Sequence, residues 1–493
     1  MEEMFTVTVL PGGSQFPAKP AENLLEFLRR HEAAPHAPCG GKGACGKCKV
    51  LVNGVERLAC QTVIDRDMTV KPVQEPETIN VLSEGMQAEI PADASLDGNL
   101  IAIDLGTTTM VCYLLDRHGK ELASAGALNP QGVYGADVIS RIQAALGGKL
   151  SALSDCVRTG LTRLIQEVCE KADVRPETVR RVALVANPCM QQLLMGISTE
   201  NLAKVPFAPV LTQLGTVPAG GICSNAAFVV VPDIAGFVGA DTIGCVLSSR
   251  MYSKESITLM VDIGTNGEMV LGNRDRMLAC STAAGPALEG ANIRFGMRGS
   301  PGAIDHVAWE AGKPKAHVIA DEEARGICGS GLIDAVAGML KNGIINSRGR
   351  ILSAAEEYEG ERAFYLTERV CLTQTDIRQV QLAKGAIAAG IELMAKQFGI
   401  ALADIDQVLL AGAFGSFISP ESACAIGLLP PVLLPKIRAV GNAAGSGAKL
   451  LAASSTQQEL AGRLAKEIEF LELASVPEFQ RTFGKQTSFA KQE

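Results

Sequence analysis

Short apolar segments alternate with polar, glycine-rich ones over the first part of the chain. Apolar and polar residues in alternation predict strands, and leucines spaced along one helical face predict a helix. The predicted strands are 5–10 (FTVTVL), 48–52 (CKVLV) and 68–73 (MTVKPV), and the predicted helix is 22–32 (ENLLEFLRRHE). An Asn53–Gly54 turn follows the second of these strands. We therefore expect residues 1–73 to form a small mixed sheet packed on one helix.

From residue 99 onward the pattern is that of an α/β protein, with apolar runs of strand length followed by helical periodicity. Residues 74–98 are polar and contain prolines, so they are interpreted as a linker. At the other end, 455–493 is interpreted as one amphipathic helix and a polar tail.

The most informative repeat lies at the ends of two apolar strands. IDLGTTT (103–109) and VDIGTNG (261–267) share the same order of aspartate, glycine and small polar residues. A third apolar strand with a glycine-rich exit is predicted in 407–416 (QVLLAGAFGS). The repeat indicates two related structural units in one chain.

Composition excludes some classes of partner. The chain has 493 residues, of which 47% are hydrophobic, and a net charge of -8. No run is rich in Lys and Arg and aromatic residues are few, so no nucleic acid is expected as a partner. An acidic chain without about eighteen consecutive apolar residues is not expected at or in a membrane. The acidic N-terminus does not resemble a signal peptide, and scattered cysteines fit a reducing compartment, so we expect a cytoplasmic protein.

Four cysteines lie in and just after a glycine-rich loop, with the spacing Cys39-x5-Cys45-x2-Cys48-x11-Cys60. Two sulfide-bridged iron ions need four thiolates, and glycines let the backbone turn its N–H groups onto sulfur. Zinc is the alternative, although zinc ribbons usually carry two C-x2-C pairs and this chain has one. A [4Fe–4S] cluster is disfavoured because the C-x2-C-x2-C run is missing. We predict a [2Fe–2S] cluster on these cysteines.

The two repeated loops have the composition of phosphate-binding turns. If they face each other across a cleft, their Thr hydroxyls and backbone N–H groups can hold phosphate oxygens. Asp104 and Asp262 would then face the metal ion that the phosphates carry, and Mg²⁺ suits carboxylates acting partly through water. The alternative is two ordinary hairpins in which aspartate caps the turn.

Three resemblances follow from these motifs. CGGKGACGKCKV resembles the cluster loop of β-grasp [2Fe–2S] ferredoxins, and the paired loops resemble those of the acetate and sugar kinase, Hsp70 and actin superfamily. The latter implies ATP and Mg²⁺ as cofactors, Asp104 and Asp262 as catalytic residues, and LLAGAFG (409–415) as the adenosine loop. AAGPALEG (283–290) resembles the adenosine-side loop of the activators of 2-hydroxyacyl-CoA dehydratases. The nucleotide-binding residues so implied are Gly106, Thr107, Thr108, Thr109, Gly264, Thr265, Asn266, Gly267, Gly285, Glu289, Gly412 and Gly415.

As a whole, the chain resembles the reductive activators of corrinoid-dependent enzymes. This resemblance also rests on 231–241 (VPDIAGFVGAD), 285–304 (GPALEGANIRFGMRGSPGAI) and 326–334 (GICGSGLID). It implies that one electron passes from the cluster to the Co(II) cobalamin of a corrinoid protein in a methyltransferase system, which restores Co(I). A low-potential electron donor and a homodimer are further implied partners. The segment between ferredoxin and ATPase is shorter than the family pattern, so a linker domain is reduced or absent.

The expected fold is therefore an α/β multidomain protein. A β-grasp [2Fe–2S] ferredoxin domain precedes a two-lobed actin-like, ribonuclease H-like ATPase. The expected divisions are a ferredoxin domain 1–73, a linker 74–98, a first lobe 99–256, a second lobe 257–454 and a C-terminal helix and tail 455–493.

ATP has a clear use beside such a cluster. Plant-type clusters have potentials near about -400 mV, and the acceptor of the family lies lower. For one electron, each 59 mV of unfavourable potential is about a factor of ten in the equilibrium. The transfer therefore has to be coupled to a favourable step, and nucleotide-driven closure of the lobes supplies one.

Two other functions remain open on the sequence. One is an ATP-dependent electron donor to a different low-potential enzyme, for which Cys280 beside AAGPALEG would be a ligand of a second cluster. A buried thiol is favoured there because its offset from the motif differs. The other is a small-molecule kinase with a redox-sensing domain. A packing role is favoured for Cys328, and a surface or structural role for His306. Asp233 and Asp241 are candidates to shape the cleft or the surroundings of its metal ion.

Overall fold

A computed structural model describes residues 4–43, 45–73, 82–86, 91–219, 221–352 and 356–489. Over these ranges the chain forms one five-stranded and two six-stranded sheets, with smaller sheets beside them. No helix within the described ranges is long and apolar enough to cross a bilayer.

The N-terminal unit is a mixed sheet that curls around one helix. Its elements are β1 (Phe5–Val9), β2 (Ser14–Ala18), β3 (Glu22–Asn23), α1 (Leu24–Arg30), β4 (Lys49–Val52), β5 (Val55–Leu58), β6 (Val63–Ile64) and β7 (Met68–Pro72). The strand order is β2-β1-β7-β4-β5, with β1 and β7 parallel. The helix begins where the Asn23 side chain accepts hydrogen bonds from the N–H groups of Leu25 and Glu26. Asn53 and Gly54 both have positive φ, as a two-residue type I′ hairpin requires.

The first lobe is built on the sheet β10-β9-β8-β11-β13-β12. Its elements are β8 (Asn99–Leu105), β9 (Thr109–Leu115), β10 (Glu121–Leu128), α2 (Val138–Ala144), α3 (Leu150–Lys171), β11 (Val179–Ala186), α4 (Pro188–Met195), β12 (Gly215–Pro218), β13 (Ala227–Val230) and α5 (Ala240–Ser249). Strands β8 to β10 form an antiparallel meander, and β11 runs parallel to β8.

The second lobe is built on the sheet β24-β23-β14-β15-β16-β25. The elements from here to the C-terminus are β14 (Thr258–Ile263), β15 (Gly267–Gly272), β16 (Met277–Thr282), β17 (Ala303–Glu310), β18 (Lys313–Val318), β19 (Gly326–Ile327), α6 (Gly329–Lys341), β20 (Glu356–Tyr358), β21 (Glu361–Tyr365), β22 (Cys371–Thr373), α7 (Gln374–Phe398), β23 (Gln407–Ala411), α8 (Gly412–Phe417), α9 (Pro420–Ala425), β24 (Ile437–Gly441), α10 (Ala443–Ala453), α11 (Ser455–Glu467), β25 (Glu469–Phe470) and α12 (Phe479–Gln486).

The two lobes repeat one plan. Strands β14, β15 and β16 form an antiparallel meander like that of β8, β9 and β10, and β23 lies parallel to β14 as β11 lies parallel to β8. The loops IDLGTTT and VDIGTNG connect the first two strands of the respective meanders. The expected α/β architecture, a small N-terminal sheet unit followed by two related lobes, is thus confirmed.

Helices α5 and α10 cross between the two lobes at a glycine contact. A Cβ on Gly447 would lie 2.2 Å from the Gly244 carbonyl oxygen, so only glycine allows this close approach. The apolar cluster around the crossing contains residues of both sheets, among them Val185 and Met260. Although α10 falls within the range expected for the second lobe, it packs on β8 and β11 of the first.

The C-terminal segment differs from the single helix and tail that its amphipathic pattern predicts. Helix α11 ends at Glu467, because the next residues add β25 to the edge of the second sheet beside β16. Beyond it, α12 packs on α7, and Phe489 is buried. The buried Lys384 donates to the Ser488 carbonyl at 2.6 Å, which anchors the chain end to α7.

The linker predicted over 74–98 falls partly on residues 74–81 and 87–90, which lie outside the described ranges. Its described parts run along the ATPase. The Glu84 carbonyl accepts a hydrogen bond from the Asn442 backbone N–H at 2.8 Å, and Asp93 pairs with Arg181 at 3.1 Å. These parts are therefore attached to the ATPase, and the division of the chain into numbered domains stays a prediction.

Candidate functional site: a cysteine loop beside a two-lobed cleft

The four cysteines of the N-terminal unit meet as two pairs of thiols. The Sγ atoms of Cys39 and Cys45 are 3.3 Å apart, and those of Cys48 and Cys60 are also 3.3 Å apart. Two thiolates on one metal ion, with metal–sulfur bonds of about 2.3 Å, have to lie within about 4 Å of each other, and both pairs meet this condition. Each pair can therefore bind one of two bridged iron ions.

The backbone of the loop has the conformation that such a cluster needs. Gly40, Gly41, Gly43 and Gly46 all have positive φ, and a Cβ on Gly43 would lie 2.7 Å from the Gln61 side chain. Burial and the neighbouring Cys48 thiol raise the pKa of Cys60 to about 11. A bound cation would offset this and hold the sulfurs as thiolates. The donor set fits a [2Fe–2S] cluster.

The two repeated loops face each other across a cleft of about 470 Å³ between the lobes. Asp104 and Asp262 are the penultimate residues of β8 and β14, and both carboxylates line the cleft, partly exposed. The Asp104 carboxylate accepts a hydrogen bond from Asn442 Nδ2 at 2.8 Å. Gly412 has φ +79°, and a Cβ there would lie 2.5 Å from Asp262 Oδ1, so this glycine makes room for the carboxylate.

Carboxylates from both lobes are concentrated at the base of the cleft. Burial raises the pKa of Asp104 to about 7, which the charge of Asp262 reinforces and the Asn442 hydrogen bond opposes. Burial and Glu289 raise the pKa of Asp262 to about 6. Burial raises the pKa of Asp241 to about 7 and that of Glu268 well above its ordinary value. Such a set of mutually repelling acids suits Mg²⁺, whose charge would offset the repulsion.

Glu289 connects the two loops directly. Its Oε2 atom accepts hydrogen bonds from Thr108 Oγ1 of the first lobe at 2.9 Å and from Thr265 Oγ1 of the second lobe at 2.8 Å. Glu289 lies in a short 3-10 helix, Pro286–Glu289, that follows β16. The two phosphate loops therefore share one acceptor at the point where a nucleotide would span them.

Most of the residues predicted to bind nucleotide line this cleft. They are Gly106, Thr107, Thr108, Thr109, Gly264, Thr265, Asn266, Glu289 and Gly412. Three others do not contribute to its lining. Gly267 packs in β15 against Thr282, Gly285 starts the turn before Glu289, and Gly415 lies in α8 against Leu410. These three glycines have packing or turn roles in the structure.

Several residues of the site were not among those predicted. Glu268 lies directly opposite Asp262 in the β14–β15 hairpin, so hairpin register was a signal for it. Asn442 lies in the glycine-rich stretch 441–447 (GNAAGSG). Arg141 is buried and donates to the Thr107 carbonyl at 2.6 Å, which holds the first phosphate loop from behind. No local sequence pattern marks Asn442 or Arg141.

The remaining candidates have mixed outcomes. Cys280 is buried, with its Sγ 3.2 Å from Met394 Sδ, as expected for a packing thiol. Cys328 and His306 both line the cleft, and the half-exposed His306 ring contacts Asp334 at 2.9 Å. Asp241 lines the cleft, whereas Asp233 is buried behind it and accepts from Gln191 at 2.9 Å.

The cysteine loop lies against both lobes. On the first lobe, the Pro38 carbonyl accepts from the Ala136 N–H at 3.0 Å, and Arg29 Nε donates to the Val133 carbonyl at 2.8 Å. On the second lobe, Lys47 Nζ donates to the Gly296 carbonyl at 3.2 Å. The candidate redox centre and the candidate nucleotide site are therefore neighbours.

Family comparisons divide the chain into three matched regions. Residues 7–68 match the family model described as a 2Fe-2S iron-sulfur cluster binding domain. Residues 100–254 match the RACo middle region, and residues 256–493 match the C-terminal domain of RACo, the ASKHA domain.

Individual relatives agree with this division. The chain is similar to the corrinoid activation enzyme RamQ of Eubacterium limosum, with 34% identity over 416 residues that cover 79% of this chain and 70% of the relative. It is also similar to the Co(II) methylated amine-specific corrinoid protein reductase of Methanosarcina barkeri, with 27% identity over 403 residues, 75% of this chain and 72% of the relative. A solved structure of a reductive activator for corrinoid, iron-sulfur protein matches with a TM-score of 0.74 and 27% identity over 98% of both chains. The chain therefore belongs to the RACo family of reductive activators of corrinoid proteins.

Proposed function

We propose that this chain uses ATP to pass one electron to the Co(II) cobalamin of a corrinoid protein and so restores Co(I) for methyl transfer. The observation that carries the proposal is the cysteine loop docked on both lobes beside the cleft. A [2Fe–2S] cluster on Cys39, Cys45, Cys48 and Cys60 would supply the electron when bound. A low-potential donor that refills it, a homodimer and a cytoplasmic location are further parts of the proposal.

The roles of the cleft residues follow from their chemistry. Thr107, Thr108 and Thr265, with the backbone N–H groups of the two loops, would hold the phosphates of ATP. Asp104 and Asp262 would hold Mg²⁺, partly through water. Because each loop belongs to a different lobe, phosphates bound to both would draw the lobes together.

Lobe movement is what would drive the electron. An enzyme does not change the equilibrium of an unfavourable transfer by holding donor and acceptor close. It has to bind one state of the acceptor more tightly than the other and then recover that free energy from another step. Here ATP binding and hydrolysis would switch the lobes between a state that grips the corrinoid protein and a state that releases it.

The absorbance of cobalt tests this function. It is followed after the prereduced full-length protein is mixed with a Co(II) corrinoid protein. With ATP, the wild-type protein is expected to give Co(I). Cys45→Ser should bind ATP but form no Co(I), because the first pair of thiols is broken. Asp262→Asn should retain the visible spectrum of the cluster but lose the dependence on ATP.

Two outcomes would contradict the proposal. Co(I) that forms as well without ATP would remove the need for the ATPase, and Co(I) that never forms would remove the reductase. A kinase would behave differently from a reductase: Cys45→Ser would still transfer phosphate to a metabolite. The buried Cys280, in contact with Met394, gives no support to a second cluster.

A further inference from the structure

Arg298 lies between the nucleotide cleft and the cysteine loop. Together with Thr108 and Glu289 it lines the cleft. Its Nη2 atom is also 3.3 Å from Nε2 of His36, which precedes Cys39 in the chain. One guanidinium thus reaches both of the sites that the proposed function has to couple.

A second, smaller cavity lies between these two sites. Its volume is about 40 Å³, and it shares Thr108, Glu289 and Arg298 with the cleft. On its other side it is lined by residues that flank the cysteines, among them His36 and Lys47. The cleft and the small cavity behind the cysteine loop are therefore neighbours that share one wall.

His36 is suited to accept a hydrogen bond from Arg298. Burial and the nearby cations Arg298, Arg141 and Lys47 lower the pKa of His36 to about 3, so the ring is neutral at physiological pH. A neutral imidazole has one nitrogen that accepts. The ring also approaches the first lobe, since a Cβ on Gly132 would lie 3.3 Å from it. His36 is thus held between the lobes at the start of the cysteine loop.

We propose that Arg298 is a positioning residue that links nucleotide binding to the cysteine loop, by donating either to His36 or to the phosphates of ATP. This inference rests on the proposed binding of ATP in the cleft. A phosphate is the stronger acceptor, because its negative charge attracts the guanidinium and offers it a bidentate hydrogen bond, whereas neutral His36 offers one uncharged acceptor. ATP therefore takes Arg298 away from His36.

Loss of this contact loosens the cysteine loop on one side only. On the second lobe the loop would keep the hydrogen bond from Lys47 to the Gly296 carbonyl. On the first lobe it would keep the hydrogen bonds at Pro38 and Arg29. The N-terminal unit would then stay with the first lobe, and a gap would open between the cysteine loop and the second lobe. An incoming partner needs such a gap to reach the cysteines.

The rate at which an iron chelator removes the cluster from the full-length protein measures this opening. ATP should speed removal from the wild type about tenfold, which corresponds to one hydrogen bond of a charged group. In His36→Phe removal should be fast without ATP and unchanged by it. His36→Gln keeps an accepting oxygen and should restore the response to ATP.

Arg294→Met is the matched control. Arg294 lies near Arg298 in the chain, but it pairs with Glu359 and does not line the cleft. This variant should respond to ATP as the wild type does. Arg298→Met should lose its cluster iron to the chelator quickly both with and without ATP. In calorimetry it should bind ATP about tenfold more weakly than the wild type.

The inference and the proposed function fail in different ways. If calorimetry shows ATP binding but ATP leaves the chelation rate unchanged, or if His36→Phe responds like the wild type, the link through Arg298 is wrong. If ATP speeds chelation in the wild type and no Co(I) forms with a corrinoid protein, the link stands and the proposed function is wrong. If ATP does not bind, both are wrong.

Discussion

Asp104 shows most clearly that the acidic cleft lowers the folding stability of the protein. Its pKa is raised from 3.8 to about 7 by burial and by Asp262. Between about pH 4 and pH 7 the folded protein therefore binds a proton that the unfolded chain does not, and stability falls as pH rises through this window. At neutral pH the ionised Asp104 carboxylate therefore lowers the stability of the folded protein.

Replacement of Asp104 by Asn should accordingly stabilise the protein at pH 8 in the absence of Mg²⁺ and nucleotide. The melting temperature is expected to rise by a few degrees, and the gain should shrink toward pH 5, where the native Asp104 is protonated. Thermal melts by circular dichroism at several pH values measure this. Asp93→Asn is the control with the opposite sign, because the hydrogen bonds of Asp93 with Ser455 and Arg181 outweigh burial and lower its pKa. Equal pH dependence of Asp104→Asn and the wild type would contradict the account.

Thr265→Val tests the phosphate loop without a change in shape. The variant loses only the hydroxyl that donates to Glu289 and that would donate to a phosphate. We expect ATP affinity to fall about tenfold, as for one hydrogen bond to a charged group. Titration calorimetry measures the affinity, and Thr216→Val in the exposed strand β12 is the control. A similar fall in both variants would indicate a general effect on folding instead.

At the level of elements, the crossing of α5 and α10 joins the lobes. Gly447→Ala would place a Cβ 2.2 Å from the Gly244 carbonyl oxygen, so a helix has to shift. We expect a loss of about 2–3 kcal/mol in unfolding free energy, the upper range for overpacking. Chemical denaturation measures this loss.

Gly484→Ala is the control for that substitution. Gly484 lies within α12, and a Cβ there would meet nothing within 4 Å. Alanine should stabilise the helix by about 0.5–1 kcal/mol. If both glycine variants are neutral, the α5–α10 contact does not hold the lobes together as described.

Elements could be predicted where local pattern decides them. The hairpins that carry Asp104 and Asp262 follow from apolar runs and small turn residues. The cysteine loop follows from the spacing of its cysteines and from its glycines. The end of α11 could not be predicted, because β25 forms only where the β16 edge offers hydrogen bonds. Glu268 was within reach through hairpin register, whereas Asn442 reaches Asp104 from the far end of the chain.

At the scale of the whole molecule, the docking of the N-terminal unit on the two lobes could not be predicted from the sequence. The contacts of Lys47 with the Gly296 carbonyl and of Arg29 with the Val133 carbonyl join segments far apart in sequence. Single hydrogen bonds to backbone carbonyls leave no pattern along the chain. The described part of the linker adds a second connection, since the Glu84 carbonyl accepts from Asn442, whose side chain holds Asp104.

These hydrogen bonds connect the candidate redox site physically to the candidate nucleotide site. A movement of the lobes would change the surroundings of the cysteine loop through its contacts on each side. It would also act on the linker through Asn442. We therefore expect the relative position of the two lobes to control electron transfer.

The most direct test of this claim counts electrons in a single turnover. Prereduced full-length protein and a Co(II) corrinoid protein are mixed without air, and the absorbances of cluster and cobalt are followed before and after ATP is added. We expect that the absorbances of the cluster and of cobalt stay constant until ATP is present. Each cluster that is then oxidised should give one Co(I). Co(I) at the same yield before ATP is added would contradict it.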